Sequence, residues 1–152
     1  MEYGSIEREI HIDASPEVVF EVVSSPEHIR EWWGAETALA ARPGASGELV
    51  FGTGTEGETA VAITVVDAQP PRLFSFRWTH PAGEQARTDN SLLVTVELEA
   101  AGGGTVLRLT ETGFREQGWE IAVLEEAYNE HVEGWNMFVP RIAAHAEGLV
   151  PR

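Results

Sequence analysis

The sequence predicts an α+β fold with six antiparallel strands, two short helices after the first strand and one long C-terminal helix. Short alternating apolar segments, separated by turns that contain Gly and Pro, fill the middle of the chain and are typical of an antiparallel meander. From about Trp119 onward, the apolar residues follow a helical period instead. The length of 152 residues suits one domain, and we expect residues 1–152 to form it.

The first predicted elements are a strand and two short helices. Apolar residues alternate loosely with charged ones through residues 6–13, which predicts a strand. Ser15 is a suitable N-cap for the next segment, where a proline takes the first helical position and four valines form an apolar face. Pro26 begins a second helix that ends near Gly34, and residues 35–47 are expected to form a loop.

Five further strands are predicted in the middle of the chain. They cover residues 49–51, 59–67, 73–79, 91–100 and 105–112. Residues 52–57 match the dinucleotide pattern GxGxxG, but a strand follows them where that site requires a helix. We therefore interpret this segment as a flexible hairpin turn.

The last predicted element is a long amphipathic helix. Its apolar stripe consists of Ile121, Leu124, Tyr128, Trp135, Val139 and Ile142. Pro140 removes a backbone hydrogen bond and should kink or end this helix, with residues 143–149 continuing beyond a kink.

Composition and charge exclude several classes of function. The chain has 10 basic and 25 acidic residues, a formal charge of −15, which argues against nucleic acid and anionic membranes as partners. It has no cysteine, and its five histidines lack the spacing of metal ligands, so we expect neither a metal nor a cofactor. The N-terminus is unlike a secretory signal and no apolar run could span a membrane, so we expect a cytoplasmic protein.

Four motifs occur in a fixed order along the chain. They are DASPEVVF at residues 13–20, SPEHIREWW at 25–33, LTETGF at 109–114 and HVEGW at 131–135. With the order of elements, they resemble the helix-grip superfamily, also called START, Bet v 1-like or SRPBCC. Within it, they are similar to homologues of the C-terminal domain of the activator of the 90-kDa heat-shock chaperone ATPase. The resemblance implies a curved six-stranded sheet wrapped around the C-terminal helix.

The resemblance also implies a hydrophobic cavity between the sheet and the long helix. We expect it to bind a small, mostly hydrophobic molecule in a carrier, sensor or stress-related role, or else to be filled by its own aromatic side chains. The expected lining residues are Trp32, Trp33, Phe51, Ile63, Phe74, Phe76, Trp78, Leu109, Leu124, Tyr128 and Trp135.

Two other classes of function stay open at this point. An enzyme of the polyketide cyclase, dehydratase or hydrolase type would use the same cavity, with Glu111, Tyr128 or His131 transferring protons. Glu111 either points inward with Leu107 and Leu109 or reaches solvent at the strand end, and His131 is either a cavity residue or a structural one. A chaperone-associated interaction module would instead have a sealed core and an exposed apolar patch, and a homodimer is a further expectation.

Overall fold

The computed structural model describes residues 3–150 and contains one antiparallel sheet that packs against helices. The strands are β1 (Ser5–Ile12), β2 (Ala35–Glu36), β3 (Ser46–Phe51), β4 (Thr59–Gln69), β5 (Leu73–Trp78), β6 (Leu92–Ala101) and β7 (Gly104–Thr112). The helices are α1 (Pro16–Ser24), α2 (Pro26–Trp33) and α3 (Ile121–Gly148), and a short 3₁₀-helix covers Arg115–Gln117. This is the α+β helix-grip architecture that the sequence predicts.

The sheet has seven strands in the order β1-β7-β6-β5-β4-β3-β2, so the prediction of six strands is one too low. The additional strand, β2, lies in the segment that was expected to be a loop. Ala35 pairs with Phe51, and Glu36 pairs with Val50, at the edge of the sheet. A strand of two residues is too short to show an alternating pattern, so the sequence could not indicate it.

The N-terminal helices begin and end where their sequence signals lie. The Ser15 hydroxyl accepts a hydrogen bond from the Val18 backbone N–H at 3.3 Å and caps α1. Gly34, with φ 76°, terminates α2 in the left-handed conformation that glycine adopts without strain. The Trp32 indole donates to the Val22 carbonyl oxygen at 2.7 Å, which ties α2 to α1. This bond fixes the end of α2 where the neighbouring Trp33 enters the core.

Helix α3 runs through Pro140 without ending, contrary to one of the two outcomes expected there. Pro140 and Asn136, whose carbonyl group loses its helical partner, both lie on the exposed side of the helix. On the other side, Val139 and Ile142 are buried, with only 4% and 0% of their surface exposed. Packing of this face therefore holds the helix together where the backbone loses a hydrogen bond.

The core lies between α3, the short helices and one face of the sheet. Alternation along the strands turns Ile63, Phe76, Val94 and Leu109 towards it, while Glu97 and Arg108 face solvent. Helix α3 contacts β1, α1 and α2. Within residues 3–150, none of the helices combines the length and apolar character needed to cross a membrane.

Candidate functional site

The candidate site is built around the buried carboxylate of Glu111, near the end of β7. Its side chain is 0% exposed, so the strand turns it inward with Leu107 and Leu109. Oε2 accepts the indole N–H of Trp78 at 2.7 Å, and Oε1 accepts that of Trp135 at 2.8 Å. Since an indole N–H can only donate, both Glu111 oxygens act as acceptors. The first of the two orientations considered for Glu111 is therefore the observed one.

His131 is the third side chain bound to this carboxylate. Its Nδ1 lies 2.8 Å from Oε1 of Glu111, and the His131 side chain is 20% exposed. Because the carboxylate accepts, Nδ1 carries the proton, which leaves Nε2 as an acceptor while the imidazole is neutral. No hydrogen bond to Nε2 is found within residues 3–150. The arrangement orients an imidazole whose second nitrogen is available for another group.

A pocket of about 220 Å³ opens beside these groups, at the junction of α2, β5 and α3. Its lining residues are Trp33, Trp78, Glu130, His131, Gly134, Trp135 and Phe138. The Trp33 ring centroid is 5.1 Å from that of Trp78 and 5.7 Å from that of Trp135. Trp78 and Trp135 are 6.1 Å apart, so the three indoles form one continuous wall, called here the tryptophan wall.

Helix α3 supplies most of the remaining lining through a simple spacing. His131, Gly134, Trp135 and Phe138 lie at positions i, i+3, i+4 and i+7, which face one side of a helix. A Cβ atom built on Gly134 would meet nothing within 4 Å. The missing side chain of Gly134 therefore contributes open space to the pocket.

The expected cavity residues occupy four different surroundings. Trp33, Trp78 and Trp135 line the pocket, and Trp32, Phe51 and Phe76 contact Trp33 from behind it. Four others, Ile63, Phe74, Leu109 and Leu124, are buried in the core. Tyr128 lies apart from the tryptophan wall, where its hydroxyl donates to the Ser5 carbonyl oxygen at 2.6 Å and its ring contacts Phe114.

Three lining residues were not among the residues expected to form the cavity: Glu130, Gly134 and Phe138. The signal for Gly134 and Phe138 was the i, i+3, i+4, i+7 spacing that begins at His131 in the HVEGW motif, since both share a helix face with His131. Glu130 lies outside this series, and the sequence carried no signal for it.

A second cleft, of about 730 Å³, lies on the sheet face opposite the core, between β3, β4 and the loop after β5. His80 lines it with only 6% of its surface exposed, and its Nε2 lies 3.3 Å from the Thr64 hydroxyl. Its Nδ1 is buried without a hydrogen-bond partner. Burial lowers the pKa of His80, and the charge of Glu84 offsets part of this effect.

The part of the chain between residues 3 and 150 contains no group of three or more His, Asp or Glu residues that could hold a metal ion. The closest approach of two imidazoles is between α2 and α3, where His28 Nδ1 lies 2.9 Å from His145 Nε2. The ionisable side chains at the tryptophan pocket are His131 and Glu130 in its lining and Glu111 behind its indoles.

Solved structures with the same fold come from several sources. Protein MLL2253 from Mesorhizobium loti aligns with a TM-score of 0.76 at 21% identity, over 97% of this chain and 99% of that one. An Aha1 dimer from Colwellia psychrerythraea aligns with a TM-score of 0.72 at 19% identity, over 94% and 96% of the two chains. DynU16, a putative protein in the dynemicin biosynthetic locus, aligns at 0.72 with 22% identity, over 95% of this chain and 47% of that one.

The sequence comparisons identify the family. No curated protein matches the chain at a significant level. The family model described as activator of Hsp90 ATPase homolog 1-like protein matches residues 13–147, which is most of the 152 residues and includes every residue that lines the tryptophan pocket. The chain therefore belongs to the activator of Hsp90 ATPase homolog 1-like family.

Proposed function

We propose that this protein binds a small, mostly apolar molecule in the tryptophan pocket. The observation that carries the proposal is the pocket wall, in which three indoles and Phe138 surround one available imidazole nitrogen. Aromatic walls with few polar groups are typical of sites for apolar ligands. The polar group of such a ligand would bond to Nε2 of His131, and its apolar part would pack against the tryptophan wall.

The size of the pocket limits the ligand. Sites for drug-sized molecules usually measure about 300–1,000 Å³, and this pocket has about 220 Å³. It therefore suits a small molecule, or one end of a longer molecule that extends into solvent. A ligand that buries roughly 200 Å² of apolar surface gains about 5 kcal/mol before the costs of association, so we expect modest affinity.

Two further observations favour a role as a carrier or sensor of such a molecule. One structural neighbour, DynU16, is a putative protein in a biosynthetic locus, which is a setting for small molecules. The buried Glu111 also stabilises the pocket wall in one arrangement, because its oxygens accept the N–H groups of Trp78 and Trp135. A preformed wall lowers the entropic cost of binding.

Native mass spectrometry of gently purified protein, followed by extraction and identification of any bound molecule, tests this proposal. The informative variant is Gly134→Leu, whose added side chain would occupy the open space in the pocket. Gly148→Leu is the matched control, because Gly148 is in the same helix, has equally open surroundings and does not line the pocket. We expect an adduct on wild type and on the control, and its loss from Gly134→Leu. An adduct that persists on Gly134→Leu would place the ligand elsewhere.

An enzyme that uses the same pocket is the second candidate, and the contact between Glu111 and His131 favours it. A carboxylate that holds Nδ1–H of an imidazole leaves Nε2 as a general base, with Glu111 in the role of a positioning residue. If a substrate is converted, His131→Gln should lower turnover at least a hundredfold. Glu111→Gln should lower it less and shift the pH profile. Equal turnover by wild type and His131→Gln would exclude this candidate.

An exposed apolar patch at the start of α3 favours association with a second copy of the chain. Trp119, Ile121 and Val123 are 38%, 65% and 48% exposed. The Colwellia psychrerythraea Aha1 neighbour is a dimer, and we propose that this patch forms a homodimer contact here. Sedimentation analysis should then give a dimer that dissociates in Ile121→Ser. A wild-type protein that stays monomeric at high concentration would contradict the homodimer and favour a different partner for this patch, such as a chaperone.

A further inference from the structure

We propose that the ligand of the tryptophan pocket carries a positive charge, as an alkylated ammonium group on a small apolar body. This inference rests on the proposed function, because it specifies the chemical class of the molecule that the same pocket binds.

The charges at the pocket favour a cation while His131 is neutral. Two carboxylates stand at the pocket, with Glu130 in the lining and Glu111 directly behind Trp78 and Trp135. The Arg141 guanidinium, which packs against the lining residue Phe138, adds one positive charge. Together these groups carry −1 with His131 neutral and 0 with His131 protonated. The whole chain carries −15, which adds a long-range attraction for cations. An anionic ligand is therefore disfavoured while His131 is neutral.

The bonds to Glu111 also increase the attraction of the rings for a cation. Trp78 and Trp135 each donate their indole N–H to this carboxylate, at 2.7 and 2.8 Å. A negative charge at the N–H end of an indole pushes electron density into the ring and makes its face more negative. Indole is already the side chain that attracts cations most strongly through its face. Two of the three indoles in the tryptophan wall are polarised in this way.

One cation–π contact is already present at the pocket. The Arg141 guanidinium carbon lies 5.5 Å from the ring centroid of Phe138, which is a lining residue. Arg141 does not itself line the pocket, so its charge does not occupy the space beside the tryptophan wall. A cation in that space would contact the three indoles.

The way Glu111 is enclosed indicates which kind of cation fits. Its carboxylate is 0% exposed and accepts three N–H donors, so a ligand cannot pair with it directly. A primary ammonium group has three N–H donors that lose water on binding, and the pocket offers them only Nε2 of His131 and the Glu130 carboxylate as side-chain acceptors. A quaternary ammonium group has no N–H to satisfy and is recognised by aromatic faces and by the surrounding field. The pocket of about 220 Å³ accommodates a group of this size.

Choline and its neutral isostere 3,3-dimethylbutan-1-ol test the proposal, because they share a shape and differ in charge. Tryptophan fluorescence titrations should give at least tenfold tighter binding of choline by the wild-type protein. Added salt should weaken choline binding and leave the alcohol unaffected. Glu130→Gln should weaken choline binding several-fold. Glu126→Gln, the same change at an exposed position of α3 outside the pocket, should leave it unchanged.

The possible results separate this inference from the proposed function. Equal or tighter binding of the neutral alcohol, abolished by Gly134→Leu, would overturn the cationic ligand and retain the apolar pocket. Saturable choline binding that persists in Gly134→Leu would place the cation site elsewhere and overturn the inference. If neither probe binds and native spectra show no adduct, both the inference and the proposed function fail.

Discussion

The carboxylate of Glu111 forms hydrogen bonds with three side chains that are distant from it in the sequence. Its partners Trp78, Trp135 and His131 are 33, 24 and 20 residues away. Alternation with Leu109 could indicate that Glu111 points inward, but it left open that the side chain reaches solvent at the strand end. Glu111 points inward because a buried carboxylate needs hydrogen-bond donors, and the folded chain supplies three N–H groups to it. No local pattern could reveal that two indoles would both donate to it.

Replacing Glu111 should be among the most destabilising single changes in the protein. Glu111→Ala removes the acceptor for two indole N–H groups and for the imidazole, and it leaves a void in the core. We expect a loss of about 2–5 kcal/mol in the free energy of unfolding, measured with urea. The control Glu97→Ala, at an exposed position of the neighbouring β6, should change it by less than about 0.5 kcal/mol. A small effect of Glu111→Ala would contradict the bonding described for the carboxylate.

His80 should make the stability of the protein depend on pH. Burial lowers its pKa in the folded protein below the unfolded value of about 6.5, so the unfolded chain binds a proton more readily. The stabilisation is therefore complete above that value and is lost as the pH falls through and below it. Comparing unfolding free energies at about pH 8 and pH 5, we expect a smaller decrease in His80→Gln than in wild type. His11→Gln, at an exposed position, should keep the wild-type decrease.

The apolar periodicity of helix α3 predicted its buried face but could not predict the effect of Pro140. The apolar stripe indicated the helix and the buried positions of Leu124, Trp135 and Ile142 correctly. The effect of Pro140 could not be judged locally, because its cost of about 3 kcal/mol competes with tertiary packing. Pro140 lies on the exposed side and its neighbour Val139 is buried, so packing prevails and the helix continues.

Gly134 gives a direct test of the open space in the pocket. A glycine inside a helix costs roughly 1 kcal/mol relative to alanine, and a Cβ atom here meets nothing within 4 Å. Gly134→Ala should therefore raise the free energy of unfolding by up to about 1 kcal/mol. Gly104→Ala should have the opposite effect, since its Cβ would clash with the Ile12 carbonyl oxygen. Destabilisation by Gly134→Ala would mean that the space beside the tryptophan wall is filled.

At the scale of the whole molecule, the sequence predicted the order of elements and the family, and the structure and the family match confirm both. The motifs are local, and each lies within one element or at its end. The site was predicted less completely because it forms where three elements meet. Trp33 comes from α2, Trp78 from β5 and Trp135 from α3, and their contact depends on how α3 packs against the sheet. The same packing buries Phe74 and Leu109, which the family resemblance suggested as cavity residues.

The tryptophans themselves allow the most direct test of ligand binding at this pocket. The chain has five, and each gives a separate indole N–H signal in a ¹⁵N-correlated NMR spectrum. On titration with choline and with 3,3-dimethylbutan-1-ol, we expect saturable shifts of the Trp33, Trp78 and Trp135 signals with at least one probe. The signal of Trp119, exposed outside the pocket, should stay in place. Shifts confined to Trp119, or no saturable shift at the three pocket tryptophans, would contradict the proposal that this pocket binds a small, mostly apolar molecule.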